Sequence, residues 1–329
     1  MVVGGGAAGC VLAARLARDS NHSVALVERG RSDSNRWIHI PATFFKALQS
    51  QDAKTEISQN DPTLNDQAYA VPQGRVIGGG SSVNGMIYMR GQAADYDDWA
   101  SVHGCEGWSY ADVLPVFKRQ EKNTRLSNEF HGVDGKLVVD DPAEKHAVSE
   151  AIIQSTLGLG IEQTSDFNGV RQDGVGWYQV NASQGQRQSS AHCFLKPEMH
   201  RENLTVLTGM STQRINIENR RAVSVSALRE DGTAHVITAK KEIILSAGSF
   251  QSPKLLMLSG VGPKDHLNKM GIAVTQHAPE VGANYQDHVG TPVTRKLRND
   301  IGLYGSDKGV KAIKHGFDYY FRNLSLIHI

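Results

Sequence analysis

The chain has 329 residues, of which 40% are hydrophobic and 21% are charged, which is the composition of a folded globular protein with one large domain or two interleaved ones. The formal net charge of +1 gives no bulk attraction to nucleic acid or to an anionic membrane, and no apolar run is long enough to span a bilayer. The histidines and cysteines show no metal-binding spacing, so no metal site is predicted. Because Cys10, Cys105 and Cys193 form no C-x-x-C pair, they favour a reduced, cytoplasmic setting.

The first residues predict the βαβ start of a doubly wound sheet. Met1 to Val3 end a strand, residues 7–17 predict a helix, and residues 23–28 (SVALVE) have the apolar, partly β-branched character of a buried parallel strand. The turn between strand and helix carries Gly4, Gly6 and Gly9 in G-x-G-x-x-G spacing.

The three turn glycines have separate predicted uses. Gly4 permits the tight turn, Gly6 lets a pyrophosphate approach the backbone, and Gly9 lets helix and strand pack closely. Ala7 and Ala8 open the helix, whose free N–H groups favour an anion. Glu28 ends the second strand, where a carboxylate can accept hydrogen bonds from ribose hydroxyls. This spacing fits FAD and NAD equally well.

The middle and end of the chain predict further elements. Residues 49–67 are polar and predict a loop, and Ser109 to Asp112 predict a capping box at the start of a helix. From residue 204 the pattern predicts a β-meander followed by a return to the core sheet, with strands at 205–208, 214–217, 222–228, 235–239 and 242–247. Ser252 is predicted to cap a following helix that ends at Gly260.

Residues Gly74 to Gly91 read GRVIGGGSSVNGMIYMRG. Consecutive glycines and serines disfavour a packed helix or strand and suit a loop whose backbone N–H groups press against a large polar ligand. Apolar residues flank and interleave this stretch, which favours a buried loop over a flexible surface loop. A third segment, Gly248 to Gly262 (GSFQSPKLLMLSGVG), combines a small-residue turn with a predicted helix.

Together with the first glycine turn, these two segments resemble the two signatures of the glucose–methanol–choline (GMC) oxidoreductases, with choline-dehydrogenase-like character. Segments 96–100, 107–121, 130–135 and 187–208 also resemble the family, so the similarity covers nearly the whole chain. The resemblance implies FAD as the cofactor. The residues that the first glycine turn and the resemblance together place at FAD are Gly4, Gly6, Ala7, Ala8, Gly9, Glu28, Arg75, Gly78, Gly79, Ser82, Asn84, Gly85, Met86, Met210, Ala247, Gly248, Ser252 and Asn284.

Two details qualify the resemblance. Some family members attach FAD covalently through a histidine just before the asparagine of the glycine-serine loop, and here that place is Val83. Because valine has no nucleophilic atom, non-covalent FAD is predicted. The segment Val281 to His288 resembles the family's segment near the flavin ring, which makes Asn284 and His288 candidate neighbours of the flavin or the active site, although a structural role for His288 is an equal alternative.

The expected fold is α/β, with a Rossmann-like FAD-binding domain (a doubly wound sheet plus a β-meander) and an incomplete α+β substrate domain. The FAD-binding domain is predicted to be discontinuous, with segments 1–38, 70–92 and 204–290. The substrate domain takes residues 39–69, 93–203 and 291–329.

The activity implied by the resemblance is oxidation of a primary alcohol to an aldehyde by hydride transfer to flavin N5. The partners are a small alcohol and an electron acceptor that is oxygen or a quinone; no nucleic acid and no transmembrane segment are predicted. The expected location is cytoplasmic, or peripheral at an inner membrane. The alternatives are an NAD-linked dehydrogenase and a non-catalytic FAD-binding remnant.

No catalytic base is assigned. In the family the catalytic histidine lies well beyond the second signature, and none of the later histidines of this sequence sits in that motif. The last residues, 325–329, do not resemble a natural domain end and follow an amphipathic segment at 313–324. The sequence is therefore expected to be truncated lightly at its front and heavily at its back.

Overall fold

The first strand, turn and helix form where the sequence predicts them. In the computed structural model, which describes residues 1–288, 290, 292–296, 298, 305 and 308–322, a strand at Val2–Val3 leads through the glycine turn into a helix at Ala7–Leu16. Residues 323–329, which include the end of the predicted amphipathic segment, lie outside the described residues.

The described strands in chain order are β1 (Val2–Val3), β2 (Val24–Val27), β3 (Ala53–Ile57), β4 (Ala70–Gly74), β5 (Glu121–Asn123), β6 (Leu137–Val139), β7 (Ala182–Ser183), β8 (Gln186–Arg187), β9 (Leu204–Leu207), β10 (Met210–Glu218), β11 (Arg221–Arg229), β12 (Ala234–Thr238), β13 (Ile244–Leu245), β14 (Val261–Gly262) and β15 (Gln276–His277). The described helices are α1 (Ala7–Leu16), α2 (Arg36–His39), α3 (Phe44–Leu48), α4 (Gly80–Val83), α5 (Ala93–Ser101), α6 (Tyr110–Gln120), α7 (Ala147–Leu157), α8 (Gly248–Leu258), α9 (Lys264–Lys269) and α10 (Gly309–Arg322). Short 3-10 turns cover Pro41–Thr43, Pro62–Leu64 and Lys196–Glu198, and a π-helical turn covers Ala191–Leu195.

The chain divides into two compact units. Unit 1 comprises Met1–Ser34, Lys46–Val83 and Ser190–Val293, and unit 2 comprises Asn35–Phe45, Asn84–Ser189 and Thr294–Ile329. By comparison with the predicted domains, residues 46–69 and 190–203 belong to unit 1, whereas residues 35–38 and 84–92 belong to unit 2.

A parallel sheet forms the centre of unit 1. Its strands lie in the order β13-β1-β2-β9, and each neighbouring pair is parallel. Helix α1 buries a face of small residues, Gly9, Cys10, Ala13 and Ala14, which lets it pack closely against β1 and β2. The fold class predicted from the sequence is therefore confirmed: the chain has an α/β architecture with a Rossmann-like parallel sheet.

The predicted β-meander forms, with one correction. Strands β10, β11 and β12 pair antiparallel in sequence order, and β13 then returns to pair with β1. The strand predicted at 205–208 is not part of the meander, since β9 pairs with β2 in the parallel sheet. Apolar character alone does not show which of two neighbouring sheets a strand joins, because either sheet would bury it.

Three other local predictions are wrong. The glycine-serine stretch is not all loop, because Gly80–Val83 form the short helix α4, and the Ser81 and Ser82 hydroxyls donate to the Gly78 and Ile77 carbonyls before it. The polar stretch at 49–67 contains β3, which pairs antiparallel with β4, so pairing with a distant partner overrides the polar composition. Ser252 does not cap α8: the helix begins at Gly248 with Ala247 as its N-cap, and Pro253 lies inside it. The pairing of β13 with β1 ends the strand at Leu245, and the helix follows immediately.

Unit 2 consists of helices and short strand pairs. Helix α6 begins with the predicted capping box of Ser109 and Asp112. Strands β5 and β6 pair parallel, and β7 and β8 pair antiparallel. A small core packs Met86 with Val180 and Ala182.

Candidate functional site

The first two glycine segments touch each other through their backbones in unit 1. The Gly78 N–H donates to the Gly5 carbonyl at 2.8 Å. A Cβ atom added to Gly79 would lie 2.8 Å from the Cα of Gly6, closer than real Cβ atoms approach. Glycine is therefore required at the contact itself, because a side chain on Gly79 would push the two segments apart.

Ser246 and Ala247, which lead from β13 into the third segment, contact the first glycine turn. The Ser246 N–H donates to the Val3 carbonyl at 2.8 Å, and the Ser246 hydroxyl donates to the Gly4 carbonyl at 2.9 Å. Gly4 has a φ of +99°, and a Cβ there would lie 2.5 Å from the Ser246 carbonyl oxygen. The first two glycine-rich stretches and the Ser246-Ala247 turn that leads into the third therefore meet around the turn at Gly4 to Gly6.

The N-terminus of α1 is packed on one side and open on the other. A Cβ on Gly9 would overlap the Gly4 carbonyl oxygen, so the helix rests directly on the turn. A Cβ on Gly6, the N-cap residue, would meet nothing within 4 Å. Ala7 and Ala8 begin the helix with exposed side chains, and their N–H groups belong to the first turn, where no intrahelical acceptor exists. This end of α1 thus offers backbone donors and open space to an anion.

Glu28 lies at the end of β2, buried beside the turn. One carboxylate oxygen accepts from the Gly5 N–H and the other from the Gly30 N–H, each at 2.7 Å. Burial raises the pKa of Glu28, and the hydrogen bonds from the Gly30 and Gly5 amides oppose that rise. Because each carboxylate oxygen has a second lone pair, Glu28 held in this way can still accept hydroxyl hydrogen bonds.

The predicted residues of the glycine-serine stretch in unit 1 have three different settings. Gly78 has a φ of +89° and, with Gly79, forms the part of the loop in backbone contact with the first glycine turn. The buried Ser82 hydroxyl donates to the Ile77 carbonyl at 2.8 Å, so it holds the loop in shape. Arg75 directs its guanidinium to Glu230, 3.3 Å away at the turn between β11 and β12.

The later predicted residues of unit 1 lie in three different settings. The Met210 side chain is buried against Val27, and its N–H donates to the Glu28 carbonyl, so only its backbone lies near the end of β2. Ala247 and Gly248 form the turn into α8, whereas Ser252 lies in the second turn of that helix. Asn284 is exposed with a φ of +52° and lines a cavity of about 880 Å³.

Three predicted residues belong to unit 2. Asn84 is exposed, and its side-chain oxygen accepts from the Met86 N–H at 3.1 Å and from the Arg187 guanidinium at 2.7 Å. Gly85 is half-buried between them. Met86 has a φ of +64° and a buried side chain, and its carbonyl accepts from the Asn181 N–H at 2.7 Å. The loop is thus tightly held, with the Asn84 side chain as its internal brace.

The donor set and the space fit a dinucleotide. The helix N-terminus and open Gly6 suit a pyrophosphate, and the buried Glu28 carboxylate suits ribose hydroxyls. In the described ranges, no group of three His, Cys, Asp or Glu side chains is placed to hold a metal ion. Each helix in the part of the chain that the structure describes is too short or too polar to cross a bilayer.

Comparison with known proteins identifies the family. The family model described as GMC oxidoreductase matches residues 1–290, and the chain belongs to this family. Over 305 residues it is 41% identical to the oxygen-dependent choline dehydrogenase of Rhizobium etli, covering 92% of this chain and 55% of that protein. Over 327 residues it is 38% identical to the mitochondrial choline dehydrogenase of Mus musculus, covering 97% of this chain and 54% of that protein.

A solved structure supports the same conclusion. A variant of the Aspergillus oryzae RIB40 formate oxidase, studied for its FAD modification, superposes with a TM-score of 0.88 at 25% identity, over 99% of this chain and 59% of that one. The predicted family and cofactor class are therefore confirmed, since GMC oxidoreductases are FAD flavoproteins. The chain spans little more than half the length of these relatives.

Sequence reasoning missed several residues that build the site. Ser246 ties the third segment to Gly4, and the Ser81 hydroxyl accepts from the Ser190 N–H at 3.0 Å. Ser81 lies inside the glycine-serine stretch and Ser246 lies two residues before the third segment, which was the available signal. In unit 2, a buried ionic group is formed by Arg90, Glu121 and His131, and no periodicity in the sequence predicts it.

Proposed function

We propose that this chain forms the cofactor-binding part of an FAD-dependent enzyme that oxidises a primary alcohol to an aldehyde. The observation that carries the proposal is the contact of Gly78 and Gly79, and of the Ser246-Ala247 turn before the third segment, with Gly4 to Gly6 in unit 1. When bound, FAD supplies a hydride acceptor at flavin N5. Unit 1 would be the cofactor-binding part, and unit 2 would contribute to the substrate-binding part.

The residues of this chain would bind and orient the cofactor. The α1 N-terminus and the open side of Gly6 would receive the pyrophosphate. Glu28, held in place by two backbone amides, would accept from ribose hydroxyls. The remaining predicted residues, including Asn84, Met86 and Asn284, stay assigned by the family resemblance alone, and no residue of this chain is assigned as the catalytic base.

Names of relatives suggest the substrate and the acceptor. Two relatives are named choline dehydrogenase, so choline is the first alcohol to test, and the Rhizobium etli relative is named as oxygen-dependent, so oxygen is the first acceptor to test before a quinone. A cytoplasmic location, or a peripheral one at an inner membrane, stays a prediction.

The experiment is anaerobic mixing of the purified protein with alcohols. We expect flavin absorption bands in the protein as isolated and bleaching of those bands by a primary alcohol, because hydride transfer reduces the flavin. Aerobic repetition with an oxygen electrode distinguishes oxygen from a quinone as the acceptor. A protein that binds NAD and no flavin would refute the proposal, and a flavin that no alcohol reduces would support a non-catalytic FAD-binding chain.

Non-covalent attachment is a separate prediction. Val83 lies where some family members carry the histidine that bonds to FAD, and its side chain is buried and chemically inert. Acid precipitation should therefore release the yellow colour into the supernatant. Bovine serum albumin mixed with free FAD is the control for trapping, and colour retained in the washed pellet beyond that control would contradict the prediction.

A further inference from the structure

The segment Tyr88–Arg90 forms the C-terminal part of the glycine-serine stretch Gly74 to Gly91, and polar side chains from other parts of unit 2 hold its backbone. The Arg90 N–H donates to the Asn168 side-chain oxygen at 2.7 Å, and the Asn168 side-chain amide donates to the Tyr88 carbonyl at 3.2 Å. The Gln172 side-chain amide donates to the Arg90 carbonyl at 2.9 Å. The position of this segment therefore depends on where the residues from 166 to 172 lie.

Four side chains, Arg90, Glu121, His131 and Asp166, form a buried ion cluster next to this segment. Arg90 donates to one Glu121 oxygen at 2.5 Å, and His131 Nδ1 lies 2.8 Å from the other. His131 Nε2 lies 3.1 Å from both Asp166 oxygens. The Arg90, Glu121 and His131 side chains are at most 3% exposed, so the charges face one another and not water. With His131 protonated the cluster has two positive and two negative charges.

The cluster is connected to both ends of the held segment. Asp166 accepts from the Asn168 N–H at 2.9 Å, which fixes the residue that bonds Arg90 and Tyr88. On the other side Glu121 accepts from the Asn123 side chain at 2.9 Å. Asn123 in turn donates to the Gln179 side chain at 2.8 Å, and the Gln179 carbonyl accepts from the Tyr88 N–H at 2.9 Å. Protonated His131 can donate to both carboxylates at once, whereas neutral His131 can donate to only one.

We propose that the buried ion cluster is a positioning device for the glycine-serine loop. By holding Tyr88–Arg90, it would fix the conformation of the preceding residues Asn84 to Met86, which the family resemblance assigns to FAD binding, and the proton on His131 would keep the contacts to both carboxylates formed. The role toward FAD rests on the proposed function, whereas the effect on the backbone does not.

The expected pH dependence follows from the groups around His131. Burial alone would lower the pKa of His131, but hydrogen bonds and charges from Asp166 and Glu121 outweigh it and raise the pKa from 6.5 to about 9. Besides the four members of the cluster, the charged or titratable groups close to it are Tyr88 and Tyr110, which bond Arg90, and Arg125, which acts on Asp166. Because the folded pKa is raised, the stability that protonated His131 contributes is fully present below pH 6.5, and His131 loses its proton and that contribution as the pH rises through about 9.

Hydrogen exchange tests the positioning. The exchange rates of the Met86, Tyr88 and Arg90 amides are measured and converted to protection factors by correcting for the intrinsic exchange rates. In the wild-type protein we expect the protection factors of these amides to fall about tenfold between pH 7 and pH 10. In His131→Gln we expect the protection factors to be lowered already at pH 7 and not to change further with pH. His103→Gln removes an exposed histidine of the same unit and should behave as the wild type. The wild-type titration tests the proposal even if His131→Gln does not fold.

Flavin binding tests the link to the cofactor. The dissociation constant of FAD, measured by flavin fluorescence, should be about tenfold weaker in His131→Gln than in His103→Gln at pH 7. The proposed positioning role would be overturned if the protection factors of residues 86–90 changed neither with pH nor in His131→Gln. Protection that falls while FAD affinity stays unchanged would overturn the role toward the cofactor. A wild-type protein that binds no FAD would refute the proposed function itself, and the exchange measurement would still decide whether the cluster positions the loop.

Discussion

Glu121→Gln is expected to lower the free energy of unfolding by roughly 3–5 kcal/mol. The substitution keeps the shape of the side chain but removes one negative charge from a site that is fully buried. Arg90 and His131 would then face each other across a neutral amide, with only Asp166 to balance them. Urea unfolding at pH 7, followed by tryptophan fluorescence, measures the effect.

An exposed ion pair in the same unit provides the control. Arg171 and Glu162 are also 2.5 Å apart, but their side chains are 59% and 70% exposed. Glu162→Gln should change stability by no more than experimental error, because water solvates both charges whether or not they are paired. Equal effects of Glu121→Gln and Glu162→Gln would show that burial does not determine the stability contribution of the cluster.

The second large effect is expected at the first glycine turn, where two alanine substitutions should separate folding from cofactor binding. Gly9→Ala places a methyl group on the Gly4 carbonyl oxygen and 2.9 Å from the Ser246 hydroxyl, so it should lower stability by about 1–3 kcal/mol and reduce bound FAD. Gly6→Ala adds a methyl group that meets nothing within 4 Å in the protein. It should leave stability unchanged and weaken FAD binding at least about tenfold, because the methyl group fills the space proposed for the pyrophosphate.

Thermal unfolding of each apoprotein and the FAD content per chain give the two readouts. Gly80→Ala is a matched control, since a Cβ at Gly80 also meets nothing within 4 Å and Gly80 is not among the predicted cofactor residues. A Gly6→Ala protein with full FAD affinity would show that the phosphate does not approach α1 at this point.

Local sequence rules predicted the elements that depend on near neighbours. The turn at Gly4 to Gly9, helix α1 and the capping box of α6 formed as expected, because spacing and capping act within a few residues. The local rules gave wrong predictions where pairing with a distant segment determines the secondary structure. Strand β3 forms in a polar stretch because β4 pairs with it, and α8 starts at Gly248 because β13 ends against β1.

The residues predicted at the cofactor also differ in whether local sequence or distant contacts determine their role. The glycines were identifiable because few other patterns require so many small residues in succession. The role of Ser82 could not be identified from the sequence, since its hydroxyl donates to the Ile77 carbonyl within the same stretch. The Met210 side chain lies in the core, which depends on the face that β10 buries.

The amino-acid sequence by itself determined the parallel α/β start of the fold, because the glycine turn and its flanking strand and helix act over a few residues, whereas the family and the class of cofactor followed from the resemblance of longer segments to the GMC oxidoreductases. Only the tertiary structure decided that Gly78, Gly79 and Ser246 meet at the first glycine turn and that Arg90, Glu121, His131 and Asp166 share one buried cluster. Charged residues far apart in the chain have no periodicity that reveals a common site, since their partnership arises only when the folded backbone brings them together and excludes water.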